Sequence, residues 1–349
     1  MIAIQAELKQ KSWLESIRAD VERVLAQALP KERRADADWQ IAHDRIRELA
    51  LRPAKRIRPA LLVAGFGIAR GIDAPSEALW SFAAGLELMH LFMLIHDDVA
   101  DRASIRRGGP SLHTTLSSER SGPDLAVVAG DYLFARSIEL MLEPELTFST
   151  KAVRYYLNIC KETAIGQFMD IGHSGRTLSE THLFRVVKIA MLKTARYSFV
   201  GPLAAGAVLS NAPQPLIDKL ERVGRHLGLA YQLRDDFLGL FGDDRALGKS
   251  SASDFTEGKK TFPIVAAYTR ATEAGRAEID ALFAGDRSDP AALDRLRHLV
   301  EQNGGKAATA RAIDRSHRAA ASAVKDLPDV GELRSFLEWA VSELGKRQR

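Results

Sequence analysis

The chain has 349 residues, 46% of them hydrophobic and 27% charged, with a formal net charge of +4 and a single cysteine. A chain of this length and apolar content buries a substantial core, and its mild, dispersed positive charge gives nucleic-acid binding little support. Cys160 alone makes neither an internal disulfide nor a Cys-rich zinc site, so a reducing, cytoplasmic setting is expected.

Residues 1–14 carry Glu and Lys without a continuous apolar core and do not read as a secretory signal. The longest apolar runs, 88–95 and 199–209, are too short to cross a bilayer, and the second is broken by Gly and Pro, so the protein is expected to be soluble, with no membrane span. Ala, Leu, Glu, Arg and Lys recur at helical spacing throughout, without a convincing series of alternating strands, and the predicted class is all-α. Clusters of breakers at 30–38, 71–76, 108–110, 117–124, 172–177, 211–215, 242–258, 285–290 and 303–305 separate the helices. With no fixed repeat, low-complexity tract or interdomain linker, residues 1–349 are expected to form a single domain.

In chain order, the first chemical signal is Lys55, Arg56 and Arg58 ahead of Pro59, which is either a solvated turn or a clamp for an anion. The stretch 87–101 then runs from Glu87 through His90 and Ile95 into Asp97, Asp98 and Asp101 with no turn residue between. One helix is predicted to carry both the grease and the acid. Asp97 and Asp101, four apart, share a face with Asp98 alongside, near a helix C-terminus whose dipole disfavours anions. A bound cation relieves both penalties; an acidic helix end in solvent is the plain alternative. Arg106 and Arg107 open the following Gly108-Gly109-Pro110 turn, where guanidinium groups can grip phosphate oxygens bidentately or simply face water.

Gly166-Gln167, Asp170 and Lys193-Thr194 are polar groups set among apolar neighbours, and each alone reads more readily as a satisfied core polar than as a ligand. His173, His182 and His226 lack metal-site spacing and are read as structural. The stripe Leu216, Leu220, Val223, Leu227 and Tyr231 leads four residues on to Asp235, which is predicted to point inward, with Asp236 beside it and Gly242 just beyond. A loop with Lys249, Asp254, Lys259 and Lys260 follows. Two acidic helix ends with cations in the adjoining loops suit a polyanion bridged by hard metal ions. Mg2+ in particular takes one or two carboxylates plus substrate phosphate oxygens. Zinc would want His or Cys ligands and a di-iron bundle Glu-x-x-His, neither of which is evident. A metal-bridged diphosphate is the leading ligand class.

Taken together, Lys55-Arg-Ile-Arg58-Pro, Asp97-Asp98-Val-Ala-Asp101 with Arg106-Arg107-Gly, Gly166-Gln167, Lys193-Thr194, Gln232-Leu-Arg-Asp235-Asp236 and Gly258-Lys259-Lys260-Thr261 resemble, in order, the motifs of the trans-prenyl diphosphate synthases. The resemblance spans about residues 51 to 265. It implies an isoprenoid synthase type I fold of antiparallel helices around a deep central cavity, a homodimer, and Mg2+-dependent condensation of isopentenyl diphosphate with an allylic diphosphate (dimethylallyl, geranyl or farnesyl). By matched position it implies that Asp97, Asp101 and Asp235 ligate the metal, supported by Asp98, Asp170, Asp236 and Asp254. It assigns Arg106, Lys193, Thr194, Gln232, Lys249 and Lys259 to the allylic diphosphate, and Lys55, Arg58, His90 and Arg107 to isopentenyl diphosphate. No side-chain base stands out, and the resemblance points to the released diphosphate as proton acceptor.

Three departures from the family pattern bear on these roles. Pro53-Ala54 replaces Gly-Gly before Lys55, Gly239 stands where many relatives have a third aspartate, and Ser250-Ser251-Ala252 follows Lys249 where Pro and Gly are common. Chain length is expected to be read by Met89, Phe92 and Met93 below Asp97. A helical wheel puts Met93 directly beneath, whereas the resemblance points to Phe92 as the floor. A bulky residue at 92, with no second aromatic at 93, resembles the geranylgeranyl (C20) producers more than the farnesyl ones. A class I terpene cyclase and a noncatalytic partner subunit are the rival readings; the first lacks its Asn/Asp-x-x-Ser-x-x-x-Glu motif here, and the second leaves the retained motifs without purpose.

Overall fold

The structure, a computed structural model, describes residues 2–30, 36–70, 76–116, 121–142, 146–242 and 253–346. Helices begin where the sequence supplies a side-chain oxygen for orphan N–H groups. Asp36 caps α2 (Ala37–Leu51), and Ser76 caps α4 (Glu77–Ala100), with Glu77 in its positively poled first turn. The all-α prediction holds, the one β feature among the described residues being a hairpin of β1 (Ile105–Arg106) against β2 (Gly109–Pro110).

The chain forms two compact units. The first comprises residues 1–156, 202–217 and 329–336. It holds α1 (Ile2–Ala28), α2, α3 (Ile57–Arg70), α4, the hairpin, α5 (Leu112–Thr115) and α6 (Gly122–Met141), and α4 packs along α6. Leu61, Leu62, Leu79 and Phe82 on α3 and α4 are fully buried, each worth roughly 1.5–3 kcal/mol relative to exposure. The second unit comprises residues 157–201, 218–328 and 337–349. Its core gathers Val186, Leu240, Phe255, Ile264, Val265 and Leu296. These come from α8 (Leu183–Ile189), α10 (Gln214–Phe241), α11 (Ser253–Thr256), α12 (Phe262–Arg270) and α14 (Pro290–Gln302). Also in the chain are α7 (Ser149–Ser174), α9 (Gly201–Leu209), α13 (Glu273–Ala284), α15 (Gly305–Lys325) and α16 (Glu332–Lys346).

Three sequence-based expectations need correction. Helix α4 starts ten residues before the 87–101 stretch, and by length and composition alone it passes as a membrane span; 78% of its most apolar window is buried inside the fold, as befits a core helix. The run 199–209 is not broken: α8 continues through an 11-residue π-helix, Ala190–Val200, directly into α9. Pro202 lies two residues past the π-helix, within this continuous run. The inward stripe of α10 runs through Ile217, Leu220, Val223, Leu227 and Ala230, leaving Tyr231 38% exposed, so the sequence register was off by one at both ends.

Candidate active site

The first unit brings one set of the predicted residues together. Asp101 is the C-cap of α4, its N–H donating to Asp97 O at 2.8 Å, which places all three aspartates at the negatively poled end of the helix. Asp98 is buried and Asp97 and Asp101 are half-buried. The buried carboxylate has its own cation: Arg106 Nε donates to Asp98 Oδ1 at 2.8 Å, and Nη2 meets the same oxygen. Burial pushes the Asp98 carboxyl up despite that partner, and Asp98 in turn holds the Arg106 guanidinium protonated against burial.

Arg106 and Arg107 sit on the hairpin, whose turn puts Arg107 at φ 51° and Gly108 at φ 72°. Arg56, the inner member of the first basic cluster, is also left-handed at φ 47°. Such backbone costs a non-glycine residue about 1 kcal/mol or more, so both loops are held by what surrounds them. The holder is Glu87. Buried within α4, it accepts from Arg56 Nη1 at 2.8 Å and from Arg107 Nη2 at 3.4 Å. Arg56 also donates to the carbonyl oxygens of Ala50 at 2.7 Å and Arg52 at 3.2 Å. Burial would raise the Glu87 carboxyl, yet Arg56, Arg107 and Arg58 together hold it below its ordinary value. The same surroundings act oppositely on His90, one turn along: burial first, then Arg58, Arg107, Arg106 and Arg56, push it well below 6.5, so it is neutral at pH 7. Burial and the neighbouring Arg56 and Arg58 likewise bring Arg107 down to about 10. Lys55 is exposed and Arg58 half-buried, while Arg56 is buried against Glu87.

The second unit holds the other set. Lys193 lies in the π-helix, a widened helix form found often at functional sites, and its Nζ donates to Asp170 Oδ2 of α7 at 2.8 Å. Thr194 Oγ1 donates to Gln232 Oε1 at 2.6 Å, Gln232 Nε2 donates to Asp236 Oδ1 at 2.7 Å, and the N–H of Phe262 reaches Asp236 Oδ2 at 3.2 Å. Asp236, not Asp235, is therefore the inward carboxylate of α10. Asp235 is half-buried, one position round the helix, which reverses the predicted placement. Burial pushes Asp236 up to about 7, with the charges of Asp254 and Asp235 adding to it and the two hydrogen bonds opposing. Lys259 Nζ pairs with Glu257 at 2.5 Å. A Cβ at position 239 would collide with Asp254 Oδ2, so Gly239 leaves room for a carboxylate from α11. Lys249 and its Ser250-Ser251-Ala252 neighbours lie outside the described residues.

Among the described residues no three His, Cys, Asp or Glu side chains converge closely enough to hold a metal by themselves. The carboxylates of Asp97 and Asp101 in the first unit and of Asp235 in the second offer hard oxygens, the ligand type that Mg2+ takes alongside phosphate oxygens and water. Arg56 is read from sequence only as one cation of an anion clamp, and Glu87, Glu257 and Arg52 carry no role there. A lone Glu inside an apolar helical run, three residues before His90, is a usable signal for Arg56 and Glu87, because such a carboxylate is buried only when paired.

A polyprenyl synthetase family model matches residues 40–300. The geranylgeranyl diphosphate synthase of Mycobacterium tuberculosis is 32% identical over 90% of this chain and 89% of its own. That of Saccharolobus solfataricus is 31% identical over 71% and 73%. A (2E,6E)-farnesyl diphosphate synthase of Mycobacterium bovis is 32% identical over 72% and 68%. Among solved structures, a polyprenyl synthase from Caulobacter crescentus complexed with calcium and isoprenyl diphosphate superposes with a TM-score of 0.84 at 27% identity, covering 98% of both chains. A geranylgeranyl pyrophosphate synthase from Corynebacterium glutamicum, complexed with isoprenyl diphosphate and magnesium, gives 0.83 at 26%, covering 96% and 99%. With the family model matched over most of the chain and an all-α fold in common with these enzymes, the chain belongs to the polyprenyl synthetase family and is a prenyltransferase, a trans-prenyl diphosphate synthase.

Proposed function

We propose that this enzyme condenses isopentenyl diphosphate with allylic diphosphates up to geranylgeranyl diphosphate, C20. The observation that carries the substrate reading is the cluster around Glu87. Arg56, Arg58 and Arg107 against one carboxylate and a neutral His90 leave a net positive, preorganised pocket wall beside the Asp97–Asp101 pair. Such a wall suits a second diphosphate, which a terpene cyclase would not need. In this reading Lys55, Arg58, His90 and Arg107 hold isopentenyl diphosphate, and Arg106, Lys193, Thr194, Gln232, Lys249 and Lys259 hold the allylic one. Asp97, Asp101 and Asp235 hold Mg2+, which when bound supplies charge neutralisation for the departing diphosphate. Arg106 and Lys193 aim further positive charge at that leaving group, where it grows in the transition state. Asp98 and Asp170 keep these two cations aimed, and Asp236, Gln232 and Thr194 do the same for the end of α10 and the π-helix. Holding the isopentenyl double bond against the allylic carbon is a positioning task for the Lys55–Arg58 loop and the hairpin. The proton lost at the end passes to the released diphosphate.

Chain length is the finer part of the proposal. Phe92 packs edge-on against His96 at 4.6 Å and tilted against Phe134 of α6 at 5.2 Å, so two rings brace it. Met89 is buried a turn further down, its sulfur 3.8 Å from Ser137 Oγ. A braced ring about 7 Å along the helix from Asp97 makes a firm floor, which supports Phe92 over Met93 as the stop. We further propose one catalytic domain over the whole chain, a homodimer, and a cytoplasmic location. The test is incubation of the pure protein with Mg2+, isopentenyl diphosphate and each of dimethylallyl, geranyl and farnesyl diphosphate, with products dephosphorylated and chromatographed. C20 from all three primers is expected; a stop at C15, a cyclised hydrocarbon or no product would each overturn the C20 assignment.

A further inference from the structure

Helix α2 ends at Leu51 because a residue before proline is driven out of helical backbone, and Arg52, ahead of Pro53, accordingly lies at φ −59° and ψ 146°. From that position its guanidinium crosses to the hairpin. Nη1 donates to the carbonyl oxygens of Arg106 at 2.9 Å and Pro110 at 2.8 Å, while Nη2 donates back to Glu48 Oε1 at 3.1 Å. The side chain is 11% exposed. The hairpin is shaped to receive it: a Cβ at position 109 would stand 2.7 Å from Arg52 Cζ, 2.9 Å from Nη1 and 3.0 Å from Nη2, so any side chain there would displace the guanidinium. Meanwhile the Arg52 carbonyl accepts from Arg56. One residue thus ties the first basic loop, through its backbone, to the second, through its side chain.

We infer that Arg52 is a positioning residue for both diphosphate subsites, holding the Arg106–Arg107 hairpin in its binding geometry. The inference rests on the proposed roles of Arg106 and Arg107. Two strands of two residues each do not hold themselves together in water, and the turn between them carries Arg107 in left-handed backbone. One guanidinium nitrogen donating to the carbonyl oxygens on either side of that turn, with the other anchored on Glu48, supplies the missing constraint in a fixed plane that an ammonium group lacks. Without it the hairpin must be ordered at the moment of binding, and that cost falls on the affinity for both substrates.

The test uses Arg52→Ala, Arg52→Lys and Gly109→Ala, the last displacing the guanidinium from the hairpin side while leaving Arg52 in place. Arg106→Ala and Arg107→Ala serve as controls. KM for each diphosphate, kcat, the thermal midpoint and calorimetric titration of metal-free protein with inorganic pyrophosphate are measured. We expect about a tenfold rise in both KM values and a matching loss of pyrophosphate affinity in all three variants, with kcat within about threefold of the parent. Arg52→Ala combined with Gly109→Ala is expected to be no worse than either alone. A lowered thermal midpoint with unchanged KM and pyrophosphate affinity would mean that Arg52 only stabilises the fold, and full function in Arg52→Lys would refute the need for a planar guanidinium anchored at both nitrogens. If the Arg106 and Arg107 controls shift KM while the Arg52 variants do not, the inference alone is wrong; if the controls shift nothing, the reading of the hairpin falls and takes the inference with it.

Discussion

Replacing Glu87 by Gln keeps the size of the side chain and removes its charge. Arg56, whose side chain is 1% exposed, and Arg107, 11% exposed, then lose the carboxylate that lies 2.8 Å and 3.4 Å from them. Breaking a buried ion pair by removing one partner costs roughly 3–5 kcal/mol, because a desolvated charge is left behind. Arg56 keeps its two carbonyl acceptors and Glu22 at 3.5 Å, and Gln can still accept one hydrogen bond. The expected loss is therefore at the lower end, about 3 kcal/mol. Equilibrium unfolding in urea measures it as a shift in midpoint at unchanged slope. A loss below about 1 kcal/mol would refute the view that Glu87 is the counter-ion holding the two arginine loops. There is a pH signature as well. The folded Glu87 carboxyl lies below its ordinary value of 4.5, so its contribution is fully present above that value and is lost as pH falls through the lowered folded one. The acid limb of the stability curve should accordingly be shallower in Glu87→Gln.

Further outcomes follow from the site. Asp97→Ala and Asp235→Ala should each lower turnover by orders of magnitude with the circular dichroism spectrum unchanged; near-parental turnover in either would sink the metal assignment. Arg58→Ala should raise KM for isopentenyl diphosphate in preference to the allylic substrate, and steady-state kinetics showing the reverse would exchange the two subsites. Phe92→Ala should lengthen the product, and an unchanged chain length by chromatography would place the floor elsewhere. His90 should remain neutral well below 6.5 by NMR and gain a proton more readily once a diphosphate offsets Arg58 and Arg107. Because the unfolded chain takes up that proton first, His90 lowers stability as pH falls from 6.5 toward its folded value.

Much of this site is legible in the string because its parts are local. Asp97, Asp98 and Asp101 share one helix end, and Arg106 and Arg107 share one turn, so spacing alone groups them. The roles within each group are a tertiary matter. Which aspartate of α10 turns inward depends on a register difference of one residue, and it is settled by Gln232 and the N–H of Phe262 rather than by the stripe. Arg56 looked like a third anion-binding cation and is instead consumed by Glu87, thirty-one positions away. The unbroken passage through Pro202 was hidden for a different reason, since breaker counting assumes α-helical bonding and a π-helix changes which N–H groups are needed.

Gly239 shows how a motif can be completed from outside itself. Counted along α10 alone, the acidic run stops at Asp235 and Asp236, with glycine at 239. In three dimensions the gap is filled, because the Asp254 carboxylate of α11 occupies the volume that a side chain at 239 would take. The two positions are therefore coupled, and an aspartate introduced at 239 would first have to displace the Asp254 carboxylate. Substitutions at 239 and 254 are therefore expected to be non-additive.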